Sequence, residues 1–588
     1  MKETSKKIIN WALPYLAIAV MTYIIMYPQI ISHGVILGTD SIFHFNRFYD
    51  AAKQIQQGSW SYFQSNYSFQ QSGRVINAVY GPLFAYLNGI LLGIVGTWFR
   101  YQVISSFLVY FIGGVGMYQL AMKVRVSRQI ALLVSLIFIC IGWLPRWELA
   151  QNMNAWGAAL APYMLIVGLT MIIDRDPPVH WLPLMTLMTV IIQIHLLSSL
   201  FFTFALVPFF IIGLVQTPQR WRMVVETAKA VLGTIILTGN VWGALLMLNL
   251  HNHIAQPAPF DMLKNALKPS QFSSTRDYLI YFCWILFALQ LFYVLFTFRR
   301  SLVNNVVTIM GAVILLISST WFPWSLVQRA MPALQTMLQF PNRLTVVAYP
   351  LLLTGVAISC QQLVGSPAHD RLRPRLVTCL LLFTLFQVVI PTTTSVFRRT
   401  AIYESDEVLN TSTALAWVTN DSRSLRRSVH TDYPGQLLLK VEKRAPDYLP
   451  IPKKYLNRTY VRSYAYQDQV IRPARRYRHT VLSHGRLQLS WNAQQAKKVR
   501  LPIITYHESR LTVNGQPVKH YQRSQVGAPY VHQRRGHNTV ILQFQQSTWF
   551  SVLLAISLTG LALLASYGLY RAWHWLPYKY HEIINTPQ

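Results

Sequence analysis

The sequence predicts a mainly α-helical, polytopic membrane protein with a β-sandwich-like domain inserted before its last helix. Three observations point there. Hydrophobic residues make up 53% of the 588 and charged residues only 12%, with a mean hydropathy of +0.30, a balance ill suited to a chain solvated by water. Apolar, charge-free runs near the ~20 residues that cross hydrocarbon recur along the chain, among them Ile8 to Ile31, Tyr101 to Met122, Ala230 to Leu250 and Trp549 to Tyr570. Between residues 395 and 545 the composition turns polar, aromatic and basic, with 25 Lys/Arg against nine Asp/Glu, about half of the net charge of +32.

The first apolar run follows Lys2, Lys6 and Lys7 but is too long for a signal peptide and lacks a small-residue cleavage pattern, so it reads as an uncleaved anchor. Short loops that retain Lys and Arg mark the cytoplasmic side. Placing Lys123, Arg125, Arg128, Arg175, Arg220, Arg222, Lys229, Arg299, Arg300, Arg371, Arg373, Arg375, Arg571 and Lys579 inside gathers fourteen basic residues. Only six, Arg146, Lys264, Lys268, Arg276, Arg329 and Arg343, are then left outside. That parity allows one full crossing between residues 32 and 122, although two apolar segments lie there. The segment 75–99, broken by Gly81-Pro82, Gly89, Gly93 and Gly96, is therefore expected to be interfacial or re-entrant. The count comes to about twelve spans with both chain ends cytoplasmic.

Three domains follow: a transmembrane domain over 1–392 whose first outer loop covers 32–100, an extracytoplasmic basic domain over 393–546, and a final helix with a short tail over 547–588. In the basic domain Leu487 to Trp491, Val499 to Tyr506, Arg510 to Val513 and Thr539 to Phe544 read as strands, and Asn514-Gly515 as a hairpin turn. Its charge suits anionic lipid headgroups or an anionic wall polymer. Cys140, Cys283, Cys360 and Cys379 all fall in apolar runs, as buried small residues rather than a disulfide framework or a metal site.

The strongest local signal is Gly38-Thr39-Asp40-Ser41-Ile42-Phe43-His44-Phe45-Asn46-Arg47, just after the first span. Asp40, His44 and Arg47 stand at i, i+4 and i+7, so a helix places an acid, an imidazole and a guanidinium on one face. A carboxylate there suits proton abstraction from a hydroxyl, or a divalent cation, and the guanidinium suits a phosphate. The plainer reading is that Asp40 caps a juxtamembrane helix. Both stay open on spacing alone.

These residues carry a resemblance. The D-x-x-F-H-x-x-R pattern at Asp40, Phe43, His44 and Arg47 resembles the bacterial membrane family labelled 6-pyruvoyl-tetrahydropterin synthase-related, YfhO-like, within the GT-C membrane glycosyltransferase superfamily. Gln339-Phe340-Pro341-Asn342-Arg343 looks like that family's Q-F-P-x-R element, with Asn342 where an aromatic is usual, and Pro446-Asp447-Tyr448-Leu449-Pro450 looks like its acidic-Tyr-Leu-Pro element. The resemblance implies a GT-C-like fold and transfer of a sugar from a polyprenyl-phosphate donor to a cell-wall polymer or lipid acceptor on the outer face. Asp40, His44 and Glu148 are then expected as catalytic residues, and Arg47, Arg343, Gln339 and His195 as substrate-binding ones. The label implies no pterin chemistry, no cofactor is certain, and a divalent cation is compatible with the acid.

Glu148, beside Arg146, serves equally as a second acid or as that arginine's partner. His195 lies where two short apolar stretches meet, a functional position or a bond to a free helix-end carbonyl. His251, His253 and Asp261 lack the fixed spacing of a metal site. No Walker, nucleophile-elbow or H-E-x-x-H motif occurs, so nucleotide hydrolysis, serine hydrolysis and zinc proteolysis have no footing. Nucleic acid is excluded as a partner because most of the excess charge lies outside the cell in this topology. A flippase for a lipid-linked envelope precursor and a non-catalytic envelope scaffold stay open as alternatives to a glycosyltransferase.

Overall fold

The computed structural model describes residues 2–174, 176–269, 281–365, 372–409, 415–417, 421–455 and 463–585. Arg175, Arg276 and Arg371, used in the charge parity, lie outside the described residues. The chain opens with α1 (Lys2–Ser32) and α2 (Ser41–Gln57), then a loop holding β1 (Gln64–Ser65) and β2 (Arg74–Val75), then α3 (Pro82–Val95). Helices α4 (Trp98–Lys123), α5 (Arg128–Ile139), α6 (Pro145–Ala150), α7 (Asn154–Ile173), α8 (Trp181–Ile194), α9 (Leu196–Gln216), α10 (Arg220–Leu237) and α11 (Gly239–His251) follow. After α12 (Tyr281–Phe296) and α13 (Leu302–Ser318) come the short α14 (Trp324–Ala330) and α15 (Leu334–Met337), then α16 (Thr345–Val364) and α17 (Leu372–Glu404). Side chains that accept from first-turn N–H groups fix several starts: Thr97 for α4, Ser127 for α5 and Ser301 for α13.

Seven of the described helices are each long and apolar enough to cross a membrane, and the α10–α11 pair, bent by 59°, makes an eighth. Apolar side chains such as Ile24, Phe204, Phe386 and Leu563 face outward from them, as lipid-facing helices require. The dozen spans read from the sequence also need the shorter apolar helices α5, α8, α12 and α13. The 12 residues of α5 reach only ~18 Å at ~1.5 Å per residue, against ~30 Å of hydrocarbon. The fifth short apolar helix is α3, 14 residues within the segment expected to be interfacial or re-entrant. It lies tightly on α2, where a Cβ on Gly89 would come within 2.7 Å of the Ala52 nitrogen. Helix α17 continues unbroken past residue 393, the boundary expected for the basic domain.

The region between α17 and the last helix, α21 (Thr548–Asn585), begins with a small ribbon and short helices. These are β3 (Leu415–Trp417), α18 (Ser422–His430), α19 (Gly435–Lys440), β4 (Val441–Lys443) and α20 (Ser463–Tyr466). Seven strands then form β5 (Arg478–Leu482), β6 (Arg486–Ala493), β7 (Lys497–Arg500), β8 (Ser509–Val513), β9 (Gln516–Val518), β10 (Tyr530–Gln533) and β11 (Gly536–Phe544). They make an antiparallel five-stranded sheet in the order β5-β6-β11-β8-β9 and a two-stranded β10-β7 ribbon. Leu487, Leu489, Leu511, Val540 and Leu542 of the sheet share one buried cluster with Val531 of the ribbon, which gives the two layers of a sandwich. The Asn514-Gly515 turn joins β8 to β9, with both residues at positive φ.

One predicted strand is corrected. Pairing stops at Arg500, and Leu501–Tyr506 runs irregular. Pro502 has no N–H to donate, and the N–H groups around it go to three different partners: Leu501 to the Pro529 carbonyl, Ile504 to Ser72 and Thr505 to Gly527. A further correction concerns Cys379, which is exposed on α17, whereas Cys140, Cys283 and Cys360 are buried. A second apolar core ties the sheet domain to the bundle: Phe63, Val75, Met247, Leu449, Tyr506 and Phe550 come from the first loop, α11, the sheet domain and α21.

Candidate functional site

Helix α2 buries a polar sequence. His44, Asn46, Arg47, Asp50 and Gln54 are all less than 3% exposed, and a buried polar helix must satisfy its groups from within the protein. Asn46 accepts from the Phe69 N–H (2.7 Å) and donates to Glu442 (3.2 Å). Asp50 accepts from the Tyr67 N–H (2.8 Å) and from Gln54 (2.7 Å), and burial lifts its carboxyl to about 6.

Asp40 stands at the N-cap position of α2 but makes no capping bond with its side chain. Its carboxylate turns outward instead, accepting from the Lys443 Nζ at 2.7 Å and from the Asn152 amide at 3.0 Å. The side chain keeps 27% exposure, and Lys443 12%. Lys443 also donates to the Thr39 carbonyl. The approach of the chain is close here: the Asp40 N–H donates to the Ala150 carbonyl, and a Cβ on Gly38 would sit 2.3 Å from the Leu149 carbonyl oxygen. Only glycine fits at that contact.

His44 and Arg47 do share a face, and they bond to each other: an Arg47 Nη1–H meets His44 Nδ1 at 3.0 Å. Burial, then the charges of Arg47, Lys443 and His195, hold the imidazole well below its usual range. The ring is neutral, accepting at Nδ1 and carrying its proton on Nε2. Arg47 spends its other donors on Asn77 Oδ1 (3.1 Å) and on the carbonyls of Tyr80 and Gly81. Burial lowers it to about 10, and it stacks 4.6 Å from the Tyr80 ring centre. Four of its five N–H groups thus serve the fold.

Arg343 is held differently. It donates to the Leu338 carbonyl (2.9 Å) and to Gln339 Oε1 (3.0 Å), and lies 4.7 Å from the Phe340 ring centre. Its Nε–H is buried without a hydrogen-bond partner among the described residues. Gln339, at positive φ, thereby orients the guanidinium. Asp40 and Arg343 are near enough that each acts on Tyr80, and Arg343 and Arg47 both act on His195. His195 breaks the chain between α8 and α9 with extended backbone and pairs its Nδ1 with the Ser198 hydroxyl at 2.8 Å. Burial, then Arg343 and Arg47, push it down to about 3, so it too is neutral.

The structure thus gathers Asp40, His44, Arg47, His195, Gln339 and Arg343 around Tyr80, whose ring lies 5.8 Å from His44, 6.4 Å from His195 and 6.2 Å from Tyr448. Glu148 is set apart. It is fully buried, accepts from the Tyr110 hydroxyl at 2.9 Å, and has a second oxygen without a hydrogen-bond partner among the described residues. Burial lifts its carboxyl to about 8.

Sequence reasoning did not find Lys443, Asn152 or Tyr80. Lys443 lies in β4, paired with β3, and nothing local marks it as Asp40's partner. Next to it are Glu442, lifted to about 8 by burial, and Asp447, raised by burial and by the Asp40 charge against the pull of Arg74 and Lys443. The Asp447-Tyr448 patch was visible in the sequence and does reach this place.

A family profile described as "6-pyruvoyl-tetrahydropterin synthase related domain; membrane protein" matches residues 78–397. No curated protein sequence matches the chain. Among solved structures, similarity is found to the arabinofuranosyltransferase AftD from Mycobacteria, at 12% identity and TM-score 0.39 over 67% of this chain and 27% of that one. It is found also to the Archaeoglobus fulgidus oligosaccharyltransferase in the apo form, at 10% identity and TM-score 0.37 over 71% and 60% of the two chains. A third is ArnT from Cupriavidus metallidurans bound to undecaprenyl phosphate, at 11% identity and TM-score 0.38 over 67% and 78%. The chain thus spans about a quarter of the first structure and three fifths of the second, and likeness at this distance assigns no activity.

Proposed function

The chain belongs to the 6-pyruvoyl-tetrahydropterin synthase-related family of membrane proteins, and from that placement we propose that it transfers a sugar from a polyprenyl-phosphate carrier to a cell-envelope acceptor at the outer membrane face. One observation carries the reading. A partly exposed carboxylate, Asp40, is paired with Lys443 and lies within electrostatic reach of Arg343. A lipid-linked donor has an apolar tail, an anionic phosphate and a polar sugar, so it needs apolar helices and cations side by side.

Asp40 takes the proton of the acceptor hydroxyl as that oxygen bonds to the anomeric carbon. The bond from that carbon to the phosphate oxygen breaks, and the carrier leaves as polyprenyl phosphate with inversion at the sugar. Arg343, with donors to spare, and Lys443 meet the departing charge. His44 and Arg47 are positioning residues, locking α2 against the Tyr80 turn. Lys443 supplies at Asp40 the positive charge that a divalent cation would bring. The sheet domain and the α2 loop lie outside in this reading, with both chain ends in the cytoplasm.

The test is purified protein in lipid incubated with a panel of polyprenyl-phosphate sugars and envelope acceptors. Carrier release with formation of a glycosylated product that Asp40→Asn abolishes is the expected result. Carrier movement across vesicles without turnover would replace this reading with a flippase. Impermeant labelling of cysteines placed in the sheet domain of sealed cells checks its side.

A further inference from the structure

Away from Asp40, the end of α11 meets the turn before β8. Here His251 and the pair His507-Glu508, more than 250 residues apart in sequence, come together. His251 Nδ1 lies 3.4 Å and His507 Nδ1 3.6 Å from the same oxygen, Glu508 Oε1, and one ligand atom from each residue falls within 4.8 Å of the others. The two imidazoles stack at 4.7 Å.

The glutamate is the informative member. Its side chain is 7% exposed, and Oε1, the atom facing both rings, has no hydrogen-bond partner among the described residues. The other oxygen is fixed: Asn252 donates to Oε2 at 2.9 Å, and Asn252 Oδ1 accepts from the His507 N–H at 2.8 Å. An aimed, unpartnered carboxylate oxygen is costly unless something occupies the space before it. Two bonds of ~2.1 Å meeting at a tetrahedral centre set their donor atoms ~3.4 Å apart, which is the spacing of Oε1 from the two nitrogens. Two imidazoles and a carboxylate form a donor set suited to zinc, and Asn252 supplies the outer-shell bond that orients a ligand.

We propose that His251, His507 and Glu508 bind one divalent metal ion of the zinc class, clasping α11 to the sheet domain. With three protein ligands the fourth position is open, and it faces an adjoining cavity of about 1200 Å³ lined in part by Arg510, Lys519 and Arg523. That lining suits an anionic oxygen ligand on the metal. The histidines, 56% and 61% exposed, leave the ion a path from solvent. His253 and Asp261, the other candidates beside His251 in the sequence, take no part; Asp261 pairs with Lys264.

The experiment uses the full chain in detergent, stripped with a chelator and dialysed against Zn2+ buffered by a competing chelator, with bound metal measured per chain. One zinc per chain is expected, and Co2+ in its place should give the visible spectrum of a tetrahedral site. His507→Gln and Glu508→Gln should each weaken binding by more than about tenfold to a hundredfold, the loss that even outer-shell changes cause. His253→Gln and Asp40→Asn should leave the stoichiometry at one, which separates this site from the proposed transfer site. Well under one zinc per chain in the parent protein, or one zinc retained in both His507→Gln and Glu508→Gln, overturns the proposal and leaves an ion pair of histidines on a buried glutamate.

Discussion

The start of α2 and the short helix α6 touch through the Gly38 contact, yet each carries an acid in an opposite environment. Asp40 is partly exposed and faces Lys443 and Asn152. Glu148, a few residues from the same contact, is fully buried and accepts from the Tyr110 hydroxyl, and burial lifts its carboxyl to about 8. The sequence shows two acids in neighbouring loops, and the resemblance lends both a catalytic expectation. The surroundings separate them: Asp40, partly exposed and bonded to a lysine, is the acid that the proposed transfer uses, whereas Glu148, raised by burial, is the acid held inside the bundle.

The sharpest way to break this comparison is at Asp40. Asp40→Asn keeps the shape and the Asn152 contact but removes the base, so transfer should fall by about a hundredfold to ten-thousandfold. The pair is only partly exposed, at 27% for Asp40 and 12% for Lys443, so its loss should lower the unfolding midpoint modestly, but the Asn amide oxygen can still accept from Lys443 and the midpoint should move far less than the rate. Equal losses in rate and stability would mean that Asp40 is only structural.

Arg47→Lys should show the reverse pattern. A lysine cannot reproduce the fork that reaches Asn77, His44 and two backbone carbonyls. Losing several buried charge-assisted bonds should cost about 2–4 kcal/mol, read as a lower midpoint on heating, with activity falling only in proportion to the folded fraction.

Glu148 gives the comparison a pH axis. Its folded carboxyl titrates near 8, above the ordinary value of 4.5, so its contribution to stability is full below about 4.5 and is lost as pH rises through 8. The parent protein should therefore lose on the order of a few kcal/mol across that window relative to Glu148→Gln, whose amide does not ionise. Unfolding midpoints of the two proteins compared at pH 5 and pH 9 check this: a constant difference would remove Glu148 from its neutral, buried role.

Much of the fold was legible because it is written locally. Apolar runs gave the long helices, Asn514-Gly515 gave the β8–β9 turn, and the i, i+4, i+7 spacing gave α2. Spacing also brought His44 and Arg47 together, but not their employment: a face shared in a helix says nothing of whether a neighbour from elsewhere takes up the donors. The Tyr80 and Gly81 carbonyls did so for Arg47. Lys443 was illegible for the same reason on a larger scale, since it reaches Asp40 from a strand 403 residues away. The strand expected over Val499 to Tyr506 failed where Pro502 ended the ladder and the flanking N–H groups divided between Ser72 of the first loop and the loop before β10.

The smallest expected effect distinguishes the two arginines. Among the described residues Arg343 makes two hydrogen bonds, to the Leu338 carbonyl and to Gln339, and in the proposed transfer its remaining N–H groups serve the donor phosphate. Arg343→Lys retains the charge and loses the planar fork, so a phosphate on the donor should still bind, with KM raised roughly tenfold and kcat lowered by less, since the retained charge still meets the departing phosphate. Gln339→Ala should move KM in the same direction by less, because it frees the guanidinium to swing without removing it. Since Arg47 is engaged at four of its five N–H groups, a KM effect at Arg343 without loss of stability would assign phosphate contact to it. Stability loss at Arg343 of the size expected for Arg47 would instead make both arginines part of the scaffold, and leave Lys443 as the cation facing the substrate.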